Sequence, residues 1–196
     1  MVKKKTMKIR TQSSKSSAVI LLSGGIDSAA CIVLLKNRKI NVKAIFVDYG
    51  QLAAKYERIA AEKISKKYKV TFEYIKISSD KEFADGEIVG RNSFLIFTAM
   101  TFSKISSGLI VLGIHSGTQY YDCSKDFFLK TNEIVSKHSR DQIKLFAPFL
   151  DWSKRDIFNF CRLKRIPLSA TYSCERGIWP ACGECKSCKD RKELGC

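Results

Sequence analysis

The stretch that most constrains this chain is Ala18-Val19-Ile20-Leu21-Leu22 running directly into Ser23-Gly24-Gly25-Ile26-Asp27-Ser28. An apolar run of five residues has no polar face to offer water, so it belongs in the middle of a sheet covered on both sides. The Ser-Gly-Gly that stops it, followed by an amphipathic stretch to about Arg38, makes a strand-turn-helix unit. Such a unit aims several backbone N–H groups from the positive end of a helix dipole, where phosphate oxygens dock. Gly24 and Gly25 allow close backbone approach and positive φ, and Ser23 and Ser28 can add hydroxyl donors. The hexapeptide lacks the Gly-Lys-Ser/Thr ending of a Walker loop and does not fit the dinucleotide fingerprint. Taken alone, the glycine pair is equally a tight turn, and Asp27 equally an acid placed at a helix N-terminus.

Beyond this unit the chain alternates β-rich runs with helical stretches, the pattern of βαβ units around a parallel sheet. Strands are predicted at 42–48, 71–77 and 109–114, with a short strand or extended link at 143–147. Helices are predicted at 53–68, 93–106, 125–137 and 153–164, the last with Ser153 as N-cap. After Pro167 regular signals stop. The prediction is an α/β, doubly wound parallel sheet: a basic leader at 1–17, a domain carrying the phosphate loop at 18–168, and a small tail at 169–196 packed on it. The second strand ends in Asp48-Tyr49-Gly50-Gln51, where open α/β sheets form their ligand crevice.

No apolar run approaches the ~20 residues needed to cross a bilayer, and Met1 to Ser17 has no signal-like apolar core, so a cytoplasmic, membrane-free protein is expected. The net charge is +16, and six of the basic residues lie before residue 17 in an otherwise Ser/Thr/Gln-rich segment read as a disordered leader. Without a basic stripe interleaved with aromatics, direct nucleic-acid binding is not expected.

Cysteine usage sets the last constraint. In a reducing compartment eight cysteines point to metal or catalysis rather than disulfides. Cys174, Cys182, Cys185 and Cys188 are spaced C-x7-C-x2-C-x2-C, which suffices for a closed tetrahedral zinc site; Cys₄ coordination also permits an iron–sulfur cluster. Gly183 supplies the turn between two ligands. With every ligand position filled such a metal is structural, standing in for a core the tail cannot build. Cys31, Cys123 and Cys161 read as small buried hydrophobes, and Cys196 is left outside the site.

Ser23 to Ser28 resembles the SGGxDS loop of the PP-loop pyrophosphatases, which cleave ATP between its α and β phosphates. The ordered series of motifs is similar to the 7-cyano-7-deazaguanine synthase family (QueC) from about Ala18 to Arg191. Its members are Asp48-Tyr49-Gly50-Gln51, Gly90-Arg91-Asn92, Gly113-Ile114-His115, Asp122-Cys123, Ala147-Pro148-Phe149-Leu150 leading to Ser153-Lys154, and Thr171-Tyr172-Ser173-Cys174. The resemblance implies that ATP activates 7-carboxy-7-deazaguanine twice, first for amide formation with ammonia and then for loss of the amide oxygen to give the nitrile. It places ATP on Leu22, Ser23, Gly24, Gly25, Asp27, Ser28, Asp48, Tyr49 and Arg91, with Asp27 helping to hold Mg²⁺ and with Ser23, Asp27, Arg91 and Lys154 as catalytic candidates. Gln51, Asn92, His115, Tyr121 and Asp122 are the candidates for the deazaguanine, Zn²⁺ is assigned to the four tail cysteines, and a homodimer is implied. Arg91 has an ordinary surface salt bridge as its alternative, and Lys154 an ordinary place on a helix surface.

Two departures lie near the expected substrate pocket. Leu52-Ala53 stand where the family usually has Arg-His, and Ser124 stands where it has an arginine. A pocket built to hydrogen-bond one partner rejects others strongly, so such changes bear on specificity. They keep open a QueC-like ligase of the antiphage-defence kind, joining the deazaguanine carboxylate to a protein amine. From a different class, a nucleic-acid-binding zinc module with an inactive loop is the alternative, against which the intact hexapeptide argues.

Overall fold

The computed structural model describes residues 17–81, 83, 86–115 and 117–196. The expected leader, up to residue 16, lies outside them. Five strands, β1 (Ser17–Leu21), β2 (Asn41–Asp48), β3 (Thr71–Lys76), β4 (Gly108–Val111) and β5 (Ile143–Phe146), form one sheet in the order β3-β2-β1-β4-β5. All four neighbouring pairs are parallel. The helices are α1 (Ile26–Asn37), α2 (Ala54–Tyr68), α3 (Arg91–Phe102), α4 (Lys125–His138), α5 (Lys154–Leu163) and α6 (Lys186–Leu194).

Side-chain alternation along the strands splits the interior in two. Ala18, Ile20 and Leu22 face a cluster completed by α1, by Ala61 and Ile64 of α2, and by Ile157 and Cys161 of α5. Val19, Ile45, Ile110 and Leu145 face the other, built with Ile96 and Ala99 of α3 and Phe127, Phe128 and Val135 of α4. The sheet is doubly wound, as predicted, and its central strand β1 is apolar on both faces for that reason. Among the described residues no helix is long and apolar enough to cross a membrane.

Strand order reverses at β1: the chain moves outward through β2 and β3, then returns to the opposite side as β4 and β5. A crevice opens beyond the carboxyl ends of β1 and β4 at such a switch point, and both the Ser23 loop and the Gly113 turn fall there. Element ends moved slightly from expectation. β4 stops at Val111 rather than Ile114, leaving residues 112–115 as irregular chain at the crevice. α3 begins at Arg91 rather than residue 93, following Gly90 in the left-handed region at φ 78°.

The larger correction is α6. Six of its nine residues are Lys, Asp, Arg or Glu and give no apolar stripe, so the sequence carried no helical signal there. A helix this short is marginal alone. It is held by tertiary contacts, with Cys188 and Leu194 buried and Gly195 closing it at φ 77°. At α5 the expected N-cap is present: Ser153 accepts from Asp156 N, while Asp156 accepts from Ser153 N, a reciprocal capping box.

Candidate active site at the phosphate loop

The loop is shaped by its neighbours as much as by its own residues. Gly24 has φ +79°, and a Cβ there would lie 2.5 Å from the Glu57 carbonyl, so α2 packs directly on the loop. Gly25 is the N-cap of α1 with no side-chain cap, which leaves the first N–H groups of the helix for an anion. Ser28 Oγ donates to Gly25 O at 3.1 Å and lies 3.3 Å from Ser23 Oγ. From the tail, Tyr172 N donates to Gly24 O at 3.0 Å.

Asp27 projects from the first turn of α1 into a charged cluster. Its Oδ2 accepts from Lys154 Nζ at 2.7 Å and lies 3.8 Å from His115 Nε2. Its Oδ1 is buried without a hydrogen-bond partner among the described residues. His115 is buried and its Nδ1 accepts from Gly117 N at 2.9 Å, which leaves the ring proton on Nε2, facing Asp27. Burial lowers the His115 pKa, with Lys154 and Lys186 adding to the effect and Asp27 and Asp190 opposing it. The ring is thus a neutral donor at neutral pH.

These groups line a cavity of about 300 Å³ together with Leu22, Ser23, Gly25 and Ser28. The same cavity receives Tyr49, Gln51, Arg91 and Asn92. Burial pushes the Tyr49 phenol up to about 12 against the pull of Arg91. Arg91 therefore lies beside the cavity's aromatic and carboxylate groups.

Four candidates lie outside the cavity lining. Gly24 is behind the loop, under α2. Asp48 closes the strand end, accepting from Gly50 N at 3.1 Å and Tyr74 OH at 2.7 Å. Asp122 is buried behind Asn92, accepting from its backbone N at 3.1 Å and, through the Asp122 carbonyl, from its Nδ2 at 2.9 Å. Tyr121 is 58% exposed and donates to Asp126 at 2.8 Å. Ser124 serves as the N-cap of α4, accepting from Phe127 N at 3.1 Å. Cys31, Cys123 and Cys161 are buried, and Cys123 also reaches the cavity wall.

The sulfurs of Cys174, Cys182, Cys185 and Cys188 lie within 4.8 Å of one another, and Cys182 and Cys188 are 3.8 Å apart. A tetrahedral ion with metal–sulfur bonds of ~2.3 Å separates its ligands by about 3.8 Å, so the four thiols can hold a metal. Backbone donors support the charge: Cys182 N points to Cys174 Sγ at 3.4 Å, and Glu184 N and Cys185 N point to Cys182 Sγ at 3.4 and 3.3 Å. Burial opposes a Cys174 thiolate, yet the N–H groups around it outweigh burial and bring its pKa to about 6. Ala53, Ala60 and Tyr172 pack against this cluster, joining it to α2.

Sequence reasoning missed the contribution of α6, which brings Lys186, Ser187, Asp190 and Arg191 to the cavity. Arg191 donates to Thr171 Oγ1 at 2.8 Å and Leu168 O at 3.1 Å, holding the segment that reaches Gly24. It also missed Glu57, on the first turn of α2. The available signals were the i, i+4 placement of Lys186 and Asp190 and the spacing of Glu57 six residues after Gln51; both are ordinary on solvated helices.

The family model described as queuosine biosynthesis protein QueC matches residues 17–89 and 78–194. A 7-cyano-7-deazaguanine synthase from Prochlorococcus marinus subsp. pastoris is 31% identical over 206 residues, covering 90% of this chain and 92% of that protein. The synthase of that name from Aquifex aeolicus is 31% identical, covering 89% and 94%. Among solved structures, the NMN synthetase from Francisella tularensis has a TM-score of 0.51 at 14% identity, covering 93% of this chain and 73% of that one. The NH3-dependent NAD synthetase from Campylobacter jejuni has a TM-score of 0.51 at 18% identity, covering 83% and 72%. These structural likenesses concern the fold.

Proposed function

The chain belongs to the QueC family, and on that premise we propose that it uses ATP to activate the carboxylate of 7-carboxy-7-deazaguanine, passes it to ammonia, and proceeds through the amide to 7-cyano-7-deazaguanine. The observation that carries this reading is the convergence of Asp27, Lys154 and His115 on the uncapped start of α1. A phosphate chain needs N–H donors, a cation and a divalent ion, and the first two are in place.

In this mechanism Ser23 to Ser28 seat the departing pyrophosphate in each activation step. Lys154 neutralises charge as it develops on the phosphates, and Arg91 does the same for phosphate or carboxylate. His115 offers a fixed Nε2 proton beside Asp27. The unpartnered Asp27 Oδ1 fits a Mg²⁺ ligand, since a buried carboxylate oxygen without a donor calls for a cation. When bound, the ion adds Lewis-acid polarisation of a phosphoryl oxygen. Zn²⁺ on the four cysteines orders the tail and through it α6. Positioning and charge neutralisation suffice; no nucleophilic side chain is needed.

The exposed group of Leu52, Ile178 and Trp179 favours a second reading, transfer to a protein amine. Gly177 packs against the Leu52 backbone, which brings the Ile178–Trp179 segment close to the chain that follows the cavity residue Gln51. A single experiment separates the readings: mass spectrometry of products formed from the acid, ATP, Mg²⁺ and ammonia. Nitrile supports the synthase, amide alone supports the ligase, and no acid-dependent pyrophosphate rejects both.

A further inference from the structure

Besides Asp27, the carboxylates Glu57, Glu175 and Asp190 line the cavity. Glu57 lines the wall beside Gln51, whose amide is fully occupied: its Oε1 accepts from Tyr49 N at 3.0 Å, and its Nε2 donates to Val47 O at 3.3 Å and to Glu57 Oε2 at 3.1 Å. Gln51, expected to touch substrate, lines the cavity and also braces Glu57. Glu57 Oε2 accepts from Gln51, and the carboxylate belongs to a side chain that lines the cavity. An ionised carboxylate accepts about four hydrogen bonds and donates none. What it faces in the cavity must bring N–H or O–H donors.

We propose that Glu57 is the specificity residue for the heterocycle, accepting two N–H bonds from the 2-aminopyrimidin-4-one edge of the deazaguanine acid. That edge carries a ring N–H and an exocyclic amine side by side, a donor pair that matches the two oxygens of one carboxylate. Adenine presents one donor beside one acceptor, so its ring lone pair opposes the second oxygen. Glu57 thereby sorts the substrate base from the nucleotide base, which share this cavity. Loss of water raises the Glu57 pKa, opposed by Gln51 and Arg91 and assisted by Asp48. Donors from a ligand stabilise the ionised form and so bind with that desolvation already met. The inference rests on the proposed substrate and adds which side chain reads it.

The test measures pyrophosphate release with 7-carboxy-7-deazaguanine and with its analogue lacking the 2-amino group, for wild type, Glu57→Gln and Gln51→Ala, alongside ATP binding by calorimetry. Wild type is expected to prefer the true acid by roughly 10²-fold or more in kcat/KM. Glu57→Gln should lose most of that preference, through a raised KM for the acid, while its ATP Kd stays unchanged. Gln51→Ala should raise KM for the acid yet keep the preference, because the carboxylate remains. An unchanged preference in Glu57→Gln, or a weakened ATP Kd with an unchanged KM for the acid, overturns the assignment. A wild type that releases no pyrophosphate with either acid overturns the functional reading itself, and this one with it.

Discussion

Lys154 Nζ lies 2.7 Å from Asp27 Oδ2, joining the first residue of α5 to the first turn of α1 across 127 positions of sequence. The pair sits where a phosphate chain would meet the helix. Asp27 keeps its other oxygen without a donor, so the lysine orients the carboxylate without satisfying it. An unpaired buried oxygen costs about 1–3 kcal/mol, a cost that a bound cation would offset.

Replacing Lys154 by Met is therefore expected to lower acid-dependent pyrophosphate release by about 10²-fold, the scale of removing one charge stabiliser from a reacting site. Both partners are partly solvated, so the melting temperature should move little. Asp27→Asn should show a loss of the same order together with a weaker Mg²⁺ dependence. Rates against magnesium concentration, with thermal melts as control, check both.

The two loop glycines should part company. At Gly24, φ +79° and a Cβ 2.5 Å from a backbone carbonyl make Ala costly in both conformation and space. Gly24→Ala is expected to destabilise by about 2 kcal/mol or more in urea melts. Gly25 has φ −78°, and its added Cβ would meet nothing closer than 3.5 Å. Gly25→Ala should fold normally and lose ATP affinity, because the methyl group projects where phosphate approaches. Equal destabilisation of both variants would contradict this account.

Metal removal should act on the cavity as well as on the tail. Cys185 is the N-cap of α6, and α6 brings Lys186, Asp190 and Arg191 to the cavity. A chelator is expected to release about one zinc per chain, expose four thiols to a sulfhydryl reagent, and weaken ATP binding about tenfold or more. Arg191→Ala should reproduce part of the ATP effect with zinc retained, since it unfastens Thr171 and Leu168 without touching a sulfur. Metal analysis and calorimetry on the same samples decide the matter.

What the sequence made legible follows from the range of the interactions involved. The Ala18–Leu22 run, the glycine turn and the Ser153 cap are local patterns, and each element stands where they place it. The cysteine spacing is nearly local too, and the sulfurs converge as it implies. Asp122 was singled out as a ligand contact but fixes Asn92 from behind, a role that depends on packing between residues 30 positions apart. Tyr121 points to Asp126 on the following helix, a choice between two faces that a run of aromatics does not encode. Glu57 and α6 escaped notice because charged residues on a helix look solvated until another element covers them.

Glu57 also ties function to stability through pH. Its folded pKa is raised above the ordinary 4.5, so between those two values the native state holds more protons than the unfolded chain. Stability contributed by this group is then complete below pH 4.5 and falls as pH rises through the folded value. Glutamine cannot ionise, has the same shape, and can still accept from Gln51. Glu57→Gln should accordingly match wild type in urea melts near pH 4 and become the more stable of the two as pH is raised toward 7, while binding the acid less well. A side chain kept for packing alone would show the same gain in stability with its substrate affinity intact. Gain of stability with loss of affinity is what a carboxylate held ready for a ligand requires, because the donors that would satisfy it arrive only with the substrate.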